Sequence, residues 1–229
     1  MGSCAVAGTG GAYTGLAGVG SLLNCTFAGN AAECDGAGGG VWGVIGPITN
    51  CVFWNNTDAD GSLESSQITG GLPTVNYSCI QGLTGLLGGE GNIGLDPLFV
   101  DPAGPDGVVG TEDDELHLAA ASPCIDAADN TTLPPEVLTD LDGNPRFVDD
   151  PGTADTGVGE PPIVDMGAHE FQGVPCTGDL NGDFVVDVVD LLALLEAWGT
   201  SGTGGADING DGIVDVADLT KLLAAWGPC

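Results

Sequence analysis

The sequence predicts a mainly β chain: a solenoid of short strands with a loop-rich C-terminal cap, followed by a small α-helical module built on a duplicated calcium loop. Three observations carry this. A cysteine-centred, β-rich segment recurs every 21–28 residues through residues 1–82. An oxygen-rich loop followed by an apolar helical pattern occurs twice after residue 176, at an offset of 28. Glycine fills 41 of 229 positions, many of them between the segments, where turns belong.

In the first region Leu23-Asn24-Cys25-Thr26-Phe27 aligns with Thr49-Asn50-Cys51-Val52-Phe53 at an offset of 26. Ser3-Cys4-Ala5-Val6 precedes Cys25 by 21, and Tyr77-Ser78-Cys79-Ile80 follows Cys51 by 28. Short strands repeated at this spacing read as solenoid coils. Strand alternation puts Cys25 and Phe27 on one face and Asn24 and Thr26 on the other. Stacked coils then align Cys4, Cys25, Cys51 and Cys79 in one inward column. Strands ~4.8 Å apart fall within the ~4.4–6.8 Å Cα separation that a disulfide spans. The column therefore accommodates disulfides or free thiols packed as small hydrophobes. The pairing of Cys4, Cys25, Cys34, Cys51, Cys79 and Cys124 stays open. Asn24 and Asn76 are expected at outward or stacked turn positions. Residues 83–172 lose the repeat but keep short strands at Leu98-Phe99-Val100 and Leu116-His117-Leu118, and are expected to close the end of the solenoid. The division is 1–172, a linker at 173–175, and 176–229.

Charge narrows the function. Lys and Arg together number 2 against 33 Asp and Glu, a formal net charge of −31. Nucleic acid and anionic membrane surfaces are excluded, because both are held by Lys and Arg. No apolar run is long enough to insert in a membrane. The natural counter-ion is a hard divalent cation. Eight cysteines in a Lys-poor chain point to an extracellular or cell-surface setting, although no secretion signal stands at the start of this sequence. His117 and His169 are isolated in sequence, and no zinc-ligand spacing is present.

The two C-terminal loops are the most specific signal. Asp179, Asn181, Asp183, Asp187 and Asp190, and 28 residues later Asp207, Asn209, Asp211, Asp215 and Asp218, place side-chain oxygens at loop positions 1, 3, 5, 9 and 12. With the position-7 carbonyls of Val185 and Ile213, that spacing converges oxygens on one calcium per loop. Each loop opens a helix with an apolar stripe, Leu191, Leu194, Leu195 and Trp198 in the first copy. Gly199 and Gly227 stop the helices.

The duplicated, EF-hand-like loop–helix resembles the type I dockerin module over 176–229. The resemblance implies calcium at both loops, antiparallel helices and a cohesin-like partner. Two departures matter. Phe184 stands at loop position 6 where the second copy has Gly212. Positions 10 and 11 are Val188-Val189 and Val216-Ala217, which implies a more apolar docking surface. In an antiparallel pair of loop–helix units the chain ends meet, so a disulfide between Cys176 and Cys229 is expected.

A third calcium site is weighed at Asp101, Asp106, Asp113 and Asp114 against a plain acidic turn, and Asp140-Leu-Asp142-Gly-Asn144 is read as a turn. Asp96-Pro-Leu-Phe-Val-Asp101, Ser122-Pro-Cys124-Ile-Asp126 and Val164-Asp165-Met166-Gly167-Ala168-His169-Glu170-Phe171 resemble the C-terminal end of right-handed parallel β-helix proteins of the choice-of-anchor type, over about 20–172. That resemblance implies a fold and a surface location but no activity. His169 is expected to be a packed histidine and Arg146 to pair with a nearby Asp. No catalytic residue is assigned. The leading reading is an extracellular calcium-binding structural or adhesion protein that docks through its C-terminal module to a cohesin-like protein or to another copy of itself. Head-to-tail self-assembly is an extension of it, because the chain starts inside the first coil. The alternative is a secreted polysaccharide-active or polysaccharide-binding component, with Asp58, Asp60 and Glu64 as candidate carboxylates and Trp42 and Trp54 as sugar platforms.

Overall fold

A computed structural model describes the chain apart from residues 1–3, 10–12, 15–19, 33–38, 174–176, 182–184, 202–204 and 229; for the strands within 4–14 and for residue 228 it describes the backbone only. It divides into two compact units, residues 1–149 with 155–172, and residues 150–154 with 173–229.

The first unit is mainly β. Its strands are β1 (Cys4–Thr9), β2 (Tyr13–Thr14), β3 (Leu22–Leu23), β4 (Cys25–Ala31), β5 (Val41–Trp42), β6 (Ile48–Thr49) and β7 (Val52–Trp54). The one-turn helix α1 (Glu64–Gln67) leads into β8 (Ile68–Thr69), β9 (Val75–Asn76) and β10 (Cys79–Ile80). They form three sheets, ordered β1-β4-β7-β10, β2-β5-β8 and β3-β6-β9. Every pair is parallel. Each passage of the chain thus visits three sheets in turn and returns one strand further along. The corner into the four-stranded sheet is made by Asn24, Asn50 and Tyr77 with φ of 49°, 55° and 45°. Asn tolerates this left-handed backbone because its short amide bonds locally. The Asn50 amide also donates to Asn24 Oδ1 at 3.1 Å, so Asn24 is the stacked turn residue expected.

The register of the first coils follows the repeat. Thr26 pairs with Val52 and Phe27 with Phe53, and the two phenyl rings stack inside with centroids 4.9 Å apart. The last coil corrects the expectation. Cys79 pairs with Val52 and Ile80 with Phe53, an offset of 27 rather than 28, and the Cys51 N–H bonds to Ser78 Oγ. One residue of slip turns a side chain to the other face. Cys79 therefore leaves the inward column and packs outside with Val52, Leu118 and Cys124, while Ile80 takes its place among Cys25, Phe27, Cys51 and Phe53. Cys51, Cys79 and Cys124 are buried free thiols. Cys25 is disulfide-bonded.

Buried polar side chains hold the coils as well. Asn30 Nδ2 donates to Asn56 Oδ1 at 2.8 Å, and Asn56 Nδ2 donates to the Phe27 carbonyl and to Gln67 Oε1, each at 2.8 Å. All three amides are fully buried, so their mutual satisfaction is what makes their burial tolerable.

Residues 83–172 pack on two faces of the coils. Leu83 and Leu87 pack on the inner core, and Ile93 exchanges backbone hydrogen bonds with Ser78 and Ile80. The rest, with the antiparallel pair β11 (Phe99–Asp101) and β12 (Glu115–Leu118), lies along the outer face of the four-stranded sheet. There Leu118, Cys124, Ile125, Val164 and Met166 cover Val52 and Cys79. Gly167 approaches the sheet closely: its N–H bonds to the Asn50 carbonyl. A Cβ there would sit 2.7 Å from Thr26 Oγ1, at a φ of 105° that strains any other residue.

The second unit holds β13 (Val185–Val186), α2 (Val188–Glu196), α3 (Val216–Ala224) and β14 (Gly227–Pro228). Its core repeats the sequence offset of 28: Val186 matches Val214 and Leu194 matches Leu222, all fully buried, and Leu180, Leu191 and Ala197 match Ile208, Leu219 and Ala225 around them. Leu195 and Trp198, in the same apolar stripe, are exposed. β13 pairs antiparallel with β14, bringing the end of the unit to the start of its first helix. The expected Cys176–Cys229 clasp lies outside the described residues.

Candidate metal centre and docking face

Both calcium-type loops end in a buried aspartate at a helix start, and the two copies are built alike. Asp187 and Asp215 are N-caps, accepting from the Val189 and Ala217 N–H at 2.6 and 2.7 Å. Asp190 and Asp218 complete capping boxes by accepting from the Asp187 and Asp215 N–H, each at 2.8 Å. Their other oxygen reaches back to the loop entrance: Asp190 accepts from Leu180 and Asn181, and Asp218 from Asn209. Each helix start thereby closes its own loop. These backbone donors, the Asp215 N–H foremost, hold the Asp218 carboxyl below its ordinary value, so it is anionic at neutral pH.

The second loop is described throughout. Asp207 accepts from the N–H of Gly210, Asp211 and Gly212 at 2.8, 3.1 and 2.8 Å. Asn209 Oδ1 accepts from Asp211, and Asp211 Oδ1 from Ile213. The backbone is thus wound around its own carboxylates. In the first loop Asp179, Asn181, Val185, Asp187 and Asp190 fall at equivalent places, and Asp183 lies outside the described residues, as does Phe184. Asp179 and Asp207 line one cleft with Thr177, Leu180 and Ile208, so the first residues of the two loops share a wall. The donor set is oxygen only. A carboxylate has about four acceptor sites, so lone pairs remain for an ion after the N–H bonds are made. The set fits a hard cation of the calcium kind.

The four aspartates weighed as a third site serve their own hairpin. Asp113 accepts from Thr111 Oγ1 at 2.6 Å and from the Asp106 N–H at 3.3 Å. The Thr111 hydroxyl is the main reason its carboxyl is held low. Asp114 accepts from Gly110, and Asp106 from Val108. Asp101 lies opposite Glu115 in the β11–β12 pair. Asp140 is a turn residue, accepting from the Asp142 and Asn144 N–H.

Beside the loops, the outer faces of the two helices are apolar. Val188, Val189, Leu192, Leu195 and Trp198 are exposed on the first copy, and Val216, Leu223 and Trp226 on the second. Positions 188, 192 and 195 share one helical face, and 216 and 223 are their equivalents at the offset of 28. Residues 177–224 match the dockerin type I domain. No curated protein and no solved structure matches the chain. The dockerin module is a calcium-binding unit for protein–protein docking, and the exposed stripe sits where loop positions 10 and 11 open each helix.

One cluster escaped the sequence. His117, Asp142 and His169 converge, with donor atoms of all three within 4.8 Å of one another. No spacing rule links those positions; only the packing of β12 against the turns at 140–145 and 165–170 does. Burial works against charge on His117, but hydrogen bonds to Glu115 and Asp142 overcome it and hold its pKa above the ordinary value. His169 is pushed down by burial and by its neighbour His117. Arg146, expected beside an Asp, is fully buried and pairs with Glu170 at 3.3 Å, donating also to the Gly167 and Ala168 carbonyls.

Proposed function

We propose that this chain is an extracellular structural or adhesion protein whose dockerin module docks, in a calcium-dependent manner, to a cohesin-like partner, while the first unit is a right-handed parallel β-helix that serves as its rigid body. The observation that carries the docking part is the repeated apolar stripe of α2 and α3 next to the calcium loops. A solvent-facing run of Val, Leu and Trp is costly unless a partner covers it. A partner matched to it presents an apolar surface rather than a polar one. The three parallel sheets visited in turn support the β-helix reading. No helix among the described residues is long and apolar enough to cross a membrane.

The enzyme alternative has less behind it. Asp58 accepts from the Asp60 N–H and the Ser66 hydroxyl, and buried Glu64 accepts the Thr84 hydroxyl. Both are engaged in holding turns. The first coil, on which head-to-tail assembly rests, has its side chains outside the described residues.

The test is calorimetry of the full chain against a panel of cohesin domains, with calcium and with chelator. Binding to at least one member in calcium, abolished by chelator and weakened at least tenfold by Leu192→Asp, supports the proposal. Failure of every cohesin in the panel to bind in calcium overturns it.

A further inference from the structure

The cluster at His117, Asp142 and His169 lies in the first unit and has the chemistry of a different metal from the one the C-terminal loops take. His117 Nε2 lies 2.6 Å and His169 Nδ1 3.2 Å from the same carboxylate oxygen, Asp142 Oδ2. The two imidazole rings lie tilted at 41° to one another with centroids 4.1 Å apart. The other ring nitrogen of His117 contacts Glu115. That contact fixes the ring so that Nε2 faces Asp142 and His169, which is the carboxylate–histidine arrangement that orients metal-ligating histidines.

We propose that His117 Nε2, His169 Nδ1 and Asp142 Oδ2 form a binding site for a borderline transition-metal dication of the zinc class, with Glu115 as the residue that positions His117. Imidazole nitrogens suit zinc, whereas calcium takes oxygen donors alone. Tetrahedral zinc with bonds of about 2.0–2.1 Å holds its donors roughly 3.3 Å apart. The His169–Asp142 separation already matches. The His117–Asp142 pair is in its hydrogen-bonded form and opens by about 0.7 Å to ligate. Both of its members have side chains about two-fifths exposed, His117 at 39% and Asp142 at 43%, so they can move apart. His169, the third ligand, is anchored by burial, its side chain 10% exposed. The exposed side leaves a position for water as a fourth ligand. A chain of net charge −31 draws any dication toward it.

The chain has just 2 histidines, which makes the test direct. Imidazole nitrogen NMR of the full chain, with calcium in excess to saturate the oxygen loops, is followed during zinc titration. Both rings should shift together and saturate at one equivalent. His169→Ala and Asp142→Asn should each abolish the response of His117, and Glu115→Gln should weaken binding about 10- to 100-fold. Rings that do not move after several equivalents of zinc would overturn the proposal on the unaltered chain, whatever the variants do. So would a His117 response that survives in His169→Ala.

Discussion

Asp165 sits fully buried between two backbone donors, the Asp126 N–H at 2.8 Å and the Phe171 N–H at 2.6 Å. Burial pushes its carboxyl from an ordinary 3.8 up to about 8. Glu170 is pushed up for the same reason, with the charge of Asp165 adding to it and Arg146 opposing. One guanidinium thus stands among several carboxyls, and the segment holds them best when protons are retained. A folded-state pKa above the unfolded one contributes stability that is full below the unfolded value and lost as pH rises through the folded value. Asp165→Asn is therefore expected to flatten the fall in stability between about pH 4 and 8. It should also cost about 1–3 kcal/mol at the acid end, because an amide N–H faces a backbone N–H there. Urea unfolding at a series of pH values measures both; a variant with an unaltered pH slope would contradict the assignment. Cys51 gives a second residue-scale expectation. Burial raises its thiol to about 12, and the thiolate is the reactive form. Native protein should leave Cys51 unlabelled by a disulfide reagent at neutral pH, with labelling appearing only on unfolding, as read by mass spectrometry of the Cys51 peptide.

The helix caps of the second unit carry two roles that a substitution can separate. Asp215 caps α3, and we propose it also as a calcium ligand. In saturating calcium, Asp215→Ala should be about 0.5–2 kcal/mol less stable than Asp215→Ser, because serine keeps the cap. Both should weaken metal binding. Thermal unfolding in saturating calcium, beside a calcium titration, distinguishes the two effects, and equal stability of the two variants in saturating calcium would remove the capping role. At this scale the sequence was readable where a pattern is local. The 28-residue offset placed both loops, both helices and the matching core residues. The apolar stripe is wider than the two-helix core can bury, so Leu195 and Trp198 lie exposed at its edge. The Cys79 coil was misaligned for a related reason. Matching cysteine to cysteine suggested an offset of 28, whereas register is decided by which apolar residue fills the interior, and there Ile80 follows Phe53. The flank packing of residues 95–172 had no local signature at all, since it depends on contacts such as Gly167 against Thr26, which are far apart in the chain.

Across the whole molecule, 33 acidic residues and 2 basic ones leave self-repulsion as a standing cost. The first unit meets it with a long apolar interior and buried amide ladders. Among the described residues the dockerin module has a core of five fully or nearly buried side chains, Val186, Leu194, Ala206, Val214 and Leu222, too few to hold two carboxylate-lined loops closed without counter-charge. Calcium supplies that charge, and the docking stripe exists as a surface only while α2 and α3 are paired. Backbone amide NMR of the full chain in calcium and after exhaustive chelation tests this most directly. Amides of residues 177–228 should lose their dispersion on chelation and regain it with calcium, while those of the first unit stay where they are. Unchanged, dispersed signals from residues 177–228 in the metal-free chain would contradict it.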